Sequence, residues 1–175
     1  MIKPIISSAI NQHNEIIKKI NVDEIEIVVG VIIDALKNGS SILWCGNGGS
    51  ASQANHLSAE LIGGMHQEKK MPYKSISLCV DTTFLTAWSN DDSFDNIFSR
   101  QIQSLSQPGD VLIGLTTSGN SKNLINAFKL ANKKEVVTIS LTGNNGGELK
   151  QLSKLNININ DTSTQRIQEM HILIG

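Results

Sequence analysis

The sequence predicts an α/β protein with a doubly wound, five-stranded, mostly parallel sheet preceded by two helices, over one domain spanning 1–175. Three observations lead there. Short apolar runs recur at 41–45, 74–79, 110–115, 135–141 and 155–159. Helix-period stretches lie between them, and the turns that follow three of the runs are rich in Gly, Ser, Thr and Asn. Strict β-α alternation calls for parallel strands joined by right-handed crossovers, with both faces of the sheet covered.

Taken in order, Ile6, Ile10, Ile17 and Ile20 recur at near-helical spacing through the first twenty residues. A second helix starts near Asp23, presents Ile25, Val29, Ile32 and Leu36, and stops at Gly39. Two amphipathic helices are more apolar surface than one sheet layer needs, so 1–38 is expected to pack against another copy. From 41 onward comes the α/β core. Its helices are expected at about 50–62, 82–89, 94–105, 121–133, 146–153 and from 164 onward. MHQEKKMPYK is the longest polar loop and reads as solvated surface.

Composition sets limits on function. The chain has 175 residues, 39% hydrophobic and 18% charged, with a net charge of −1. No broad attraction to nucleic acid or anionic lipid follows from such a balance. Cys45 and Cys79 end apolar runs and form no ligand-spaced cluster, which reads as buried thiols in a reducing compartment. No run approaches membrane-spanning length and no leader pattern opens the chain, so the expected location is the cytoplasm.

Ligands of doubly wound sheets sit beyond the carboxyl ends of the strands. CGNGGS, TTSGNS and TGNNGG follow the first, third and fourth strands and should open toward one edge. In the second of these, Thr116, Thr117, Ser118 and Ser121 surround Gly119 before a helix. Hydroxyls and free amides at a helix N-terminus suit a phosphate dianion; the alternative is that they cap the helix. In GNGGS, Gly46, Gly48 and Gly49 permit close approach to backbone amides, Asn47 offers its side-chain amide, and Ser50 occupies a cap-like place. The alternative there is a bare tight turn. The P-loop and dinucleotide patterns are absent. His56 and Glu60 share one helix face, either as a surface pair or as part of a site with Gln168 and His171 near the C-terminus. Such a set suits zinc or acid–base work.

CGNGGSASQANHLSAEL, WSNDDSFDNIFSRQI, LTTSGNSKNL, LTGNNGGEL and TQRIQEMHILIG, in this order and spacing, resemble the phosphoheptose isomerases of the SIS (sugar isomerase) superfamily from about residue 41 onward. The resemblance implies a flavodoxin-like SIS fold and a homotetramer with active sites at subunit interfaces. It implies conversion of sedoheptulose 7-phosphate to a glycero-manno-heptose 7-phosphate through a cis-enediol, supplying lipopolysaccharide or capsule. Asn47, Gly48, Gly49, Ser50, Asn90, Asp91, Thr116, Thr117, Ser118, Ser121, Glu60 and Gln168 match its substrate contacts. His56, Glu60 and Gln168 match ligands of one zinc ion per subunit, and Glu60 matches the catalytic base. The remaining ligand and second acid–base residue, a His, would fall at position 176, one beyond Gly175; His171 is a poor substitute. Thr116 stands where the family often has Ser. Gly64 stands where it commonly has Arg, leaving Lys69 or Lys70 as replacement contacts. A relative that binds the replication initiator DnaA keeps the fold without the catalytic carboxylate, so the presence of Glu60 favours the enzyme. A sugar-phosphate-sensing transcription regulator would need a helix-turn-helix domain.

Overall fold

A computed structural model describes residues 2–64 and 71–175. Five strands, β1 (Ile42–Gly46), β2 (Ser75–Ser77), β3 (Val111–Thr116), β4 (Val137–Gly143) and β5 (Leu155–Ile159), form one sheet in the order β2-β1-β3-β4-β5. Every pairing is parallel, so the expectation of a mostly parallel sheet becomes a wholly parallel one. The eight α-helices of the described residues are α1 (Ile2–Ile17), α2 (Val22–Lys37), α3 (Gly49–Gly63), α4 (Thr82–Asp91), α5 (Ile97–Leu105), α6 (Lys122–Lys133), α7 (Gly147–Leu152) and α8 (Thr164–Ile174).

The two-residue period of a strand divides the core. Leu43 and Cys45 of β1 and Leu112 of β3 face a layer built from Phe98 and Ile102 of α5, Leu124 and Phe128 of α6, and Leu149 of α7. Ile42 and Trp44 of β1, with Val111, Ile113 and Leu115 of β3, face the opposite layer, which contains Val28 and Ala35 of α2 and Ala54 and Leu57 of α3. Trp44 donates its indole N–H to Ser75 Oγ at 2.9 Å, so its one polar atom is satisfied inside.

Boundaries shift for local reasons. The fourth apolar run, expected from 135, starts at Val137 because Glu135 takes a positive φ of 60° and cannot extend the strand. The second run keeps only three residues as an edge strand, held by β1 alone. On α2, Val28 and Ala35 are buried, while Val29, expected on the packed face, is 43% exposed. Ile25, Ile32 and Leu36 pack as expected against the cluster that holds Ile157 and Trp44, and Val28 takes the place expected of Val29.

Helix α1 docks on α8 through Ile16, which packs with Ile167 and Met170. His13 Nδ1 lies 2.7 Å from Glu169 Oε2, and Arg166 pairs with the same carboxylate. The rest of its apolar stripe faces outward: Ile6 and Ile10 are 54% and 55% exposed, and Ile2 and Ile5 more so. No helix among the described residues is long and apolar enough to cross a membrane.

Candidate active site

The chain leaves β1 toward β2 on one side and β3 toward β4 on the other, so the strand order reverses between β1 and β3. Beyond the carboxyl ends of these two strands the loops part and leave a crevice, the position where such sheets take ligands. A cavity of about 330 Å³ opens there, between the β1–α3 turn, the β3–α6 loop and the start of α8. Asn47, Gly48, Gly49, Ser50, Thr116, Thr117, Ser118, Ser121 and Gln168 all line it, together with Thr164.

The hydroxyls divide by task. Thr116 is only 5% exposed, and its Oγ1 accepts the Gly119 N–H at 3.2 Å, so it shapes the loop. Ser118 Oγ accepts the Asn120 N–H at 3.1 Å and lies 3.5 Å from Thr116 Oγ1, so its proton can turn to Thr116 or to a ligand. Ser121 stands at the N-cap of α6 but caps nothing with its side chain. Its hydroxyl, like those of Thr117 and Ser50, has no partner among the described residues. These side chains are spare, as a ligand-binding loop requires and a simple cap does not. Ser50 differs from its expected place: Gly48 is the N-cap of α3, and Ser50 lies inside the first turn with its N–H on Asn47 O. The N–H groups of Gly48 and Gly49 have no acceptor among the described residues and open the helix toward the crevice.

Asn47 does not present a free amide. It exchanges two hydrogen bonds with Asn123, at 2.9 and 2.8 Å. Asn123 is 2% exposed in the first turn of α6 and was missed in the sequence. TGNNGG likewise does not line the cavity; it supports the loop that does. Gly119, at φ +69°, packs so closely that a Cβ there would stand 2.0 Å from Gly146 O. Leu149 N–H donates to Gly119 O at 2.9 Å and Glu148 N–H to Asn120 Oδ1 at 3.0 Å.

Gln168 lines the crevice from α8. A Cβ on Gly49 would be 2.8 Å from its side-chain amide nitrogen, and its backbone carbonyl accepts from Gln53 Nε2 at 2.6 Å. His56 and Glu60 lie elsewhere. Their side chains approach to 3.5 Å and line a second cavity of about 490 Å³ with Val29, Ile33 and Leu36 of α2, Tyr73 and Gly175. Glu60 is 11 residues past Gly49, about 16 Å along the helix axis. A zinc ion held by His56, Glu60 and Gln168 of one chain therefore does not fit this arrangement. Among the described residues no three His, Cys, Asp or Glu side chains gather for a metal either. Asn90 and Asp91 sit exposed at the end of α4, Asn90 donating to Asp91 at 2.9 Å, and line neither cavity.

His171 is fully buried behind α8, with Nε2 3.1 Å from Thr142 O. Burial pulls its pKa down to about 4, against a smaller upward effect of the Thr142 bond. It is a neutral packing residue and takes no part in the crevice. Gly64 ends α3 in the left-handed region at φ 63° and donates to Glu60 O at 3.0 Å. An Arg at that position would have to adopt an unfavourable φ for this stop. Lys69 and Lys70 lie outside the described residues.

The SIS domain family model matches residues 7–143. A phosphoheptose isomerase of Helicobacter hepaticus is 45% identical over 172 residues, 97% of this chain and 87% of that protein. The chain belongs to the phosphoheptose isomerases of the SIS-domain family. Another member, from Akkermansia muciniphila, is 44% identical over 152 residues, covering 87% of this chain and 80% of its own length. In three dimensions the phosphoheptose isomerase GmhA of Neisseria gonorrhoeae superimposes with a TM-score of 0.93 at 36% identity, over 99% of this chain and 94% of that one. The doubly wound core and both N-terminal helices are thus the architecture of phosphoheptose isomerases.

Proposed function

We propose that this phosphoheptose isomerase interconverts sedoheptulose 7-phosphate and D-glycero-D-manno-heptose 7-phosphate, with the phosphate bound in the crevice between β1 and β3. The observation that carries the reading is the set of available donors converging there: Thr117, Ser118, Ser121 and Ser50 hydroxyls and the Gly48 and Gly49 amides, at the N-termini of α3 and α6. Helix dipoles and unpaired N–H groups stabilise a dianion without a lysine in the loop.

Anchoring the 7-phosphate fixes the reacting end of the sugar in register. Glu60 then removes the C1 proton of the ketose while the C2 oxygen gains a proton, giving the enediol. Return of the proton from Glu60 to C2, with loss of the O1 proton, gives the aldose. Within one chain Glu60 lies about 16 Å along α3 from the crevice. The reading therefore includes a homotetramer in which the crevice of one copy is completed by Glu60 of the partner subunit. The outward isoleucines of α1 supply apolar surface for that assembly. Zinc belongs to this reading only where Gln168 of one copy meets the His–Glu pair of another; bound there it would polarise the sugar carbonyl.

The cytoplasmic location is kept: Cys45 and Cys79 are free thiols. Glu60 favours the enzyme over the non-catalytic regulator. The test is turnover of sedoheptulose 7-phosphate by the protein and by Glu60→Gln. A loss of about 10²- to 10⁴-fold is expected; equal rates would remove Glu60 from the role of base.

A further inference from the structure

We infer that Asn123 is a positioning residue for the phosphate end of the substrate, acting through Asn47 without touching the ligand; this rests on the phosphate reading of the crevice. Asn47 is the first residue past β1 and Asn123 lies in the first turn of α6, so they stand on opposite walls. Separated by 76 positions in sequence, they meet amide to amide: Asn47 Nδ2 donates to Asn123 Oδ1 at 2.9 Å, and Asn123 Nδ2 donates to Asn47 Oδ1 at 2.8 Å. Asn123 Oδ1 also accepts the Leu124 N–H at 3.0 Å, which ties the pair into the helix start.

The pairing fixes the backbone of Asn47, and the next two residues carry the unpaired N–H groups of Gly48 and Gly49. Asn123 is 2% exposed, so an unpaired amide there would leave a desolvated polar group, and the closed pairing is strongly preferred. The clamp also carries no charge. A carboxylate in either position would hold one of the two bonds but set a negative charge beside a phosphate dianion. Two amides join the walls without opposing the ligand, and this sets the separation of the β1 and β3 donors.

The test uses Asn47→Ala, Asn123→Ala, the double variant and Asn123→Asp in the full chain. Inorganic phosphate is the probe, read as competitive inhibition of turnover and as shifts of the Gly48 and Gly49 backbone amides by NMR. Each single alanine variant is expected to bind phosphate about tenfold more weakly, the effect of two neutral hydrogen bonds. For Asn123→Ala, at a position that does not line the crevice, KM for the sugar phosphate should rise in parallel, with kcat within about twofold of the parent. The double variant should be no worse than either single one, because both remove the same clamp. Asn123→Asp should bind phosphate more weakly than Asn123→Ala. If Asn123→Ala fails to fold, Asn47→Ala carries the test from the half-exposed side. Parent-like phosphate binding in the single variants, or a double variant whose loss is the product of the two, overturns the inference. Failure of the parent protein itself to bind phosphate overturns the crevice reading and this inference with it.

Discussion

His171 makes stability depend on pH in a window set by its burial. Its folded pKa is about 4 against an ordinary 6.5, because the buried ring resists charging. Below pH 6.5 the unfolded chain takes up a proton that the folded chain refuses. The neutral imidazole's contribution is therefore fully present above about pH 6.5 and is lost as pH falls toward 4. A difference of some 2.5 units corresponds to about 3 kcal/mol, an upper value for a single buried site. Urea unfolding of the parent and of His171→Gln, measured at several pH values from about 7 to 4, isolates the effect. The Gln amide nitrogen reaches about as far as Nε2 and can still donate to Thr142 O, and the acidic residues titrate alike in both proteins. At neutral pH the variant should be less stable by about 1–2 kcal/mol through lost packing. On acidification the parent should lose about 3 kcal/mol more than the variant, closing or reversing the gap. Parallel pH profiles for the two proteins would refute the assignment.

Other expectations follow from the same geometry. Gly119→Ala forces a Cβ toward Gly146 O and strains a positive φ; a loss of about 3 kcal/mol is expected in thermal or urea unfolding. Retention of parent stability would show that the TGNNGG support yields freely. Cys45, whose thiol is pushed well up by burial and further by neighbouring Cys79, should resist a disulfide reagent in the native protein and react fully on unfolding. Prompt native labelling of both thiols would contradict that burial. Mixing Glu60→Gln with a Thr117→Ala/Ser121→Ala variant, after dissociation and reassembly, should recover activity that neither has alone. Mixtures as inactive as their components would rule out shared sites.

Much of this fold was legible because its parallel strands are buried on both faces and so read as unbroken apolar runs, ILWC and VLIGL being the clearest. Their order followed less directly, since no residue of β2 announces that it lies at an edge. The crevice loops were legible through glycine and hydroxyl density. Asn123 was not, because an Asn in the first turn of a helix is ordinary and its partner lies 76 residues away. Nor could sequence spacing reveal that Gln168 faces Gly49 while His56 and Glu60 face α2; the direction in which α8 crosses α3 decides it. The departure at Gly64 gains a backbone reason from its left-handed helix stop.

Helix α3 carries the crevice at its first turn and Glu60 in its last. If the crevice of one copy takes its base from another, the rate per chain is a function of protein concentration. Dilution below the assembly's dissociation constant should lower specific activity while each chain remains folded. The sugar phosphate, held at one end by the first copy and at the other by the second, would itself favour association by mass action. Substrate-rich conditions would then protect the enzyme against the dilution that silences it in their absence.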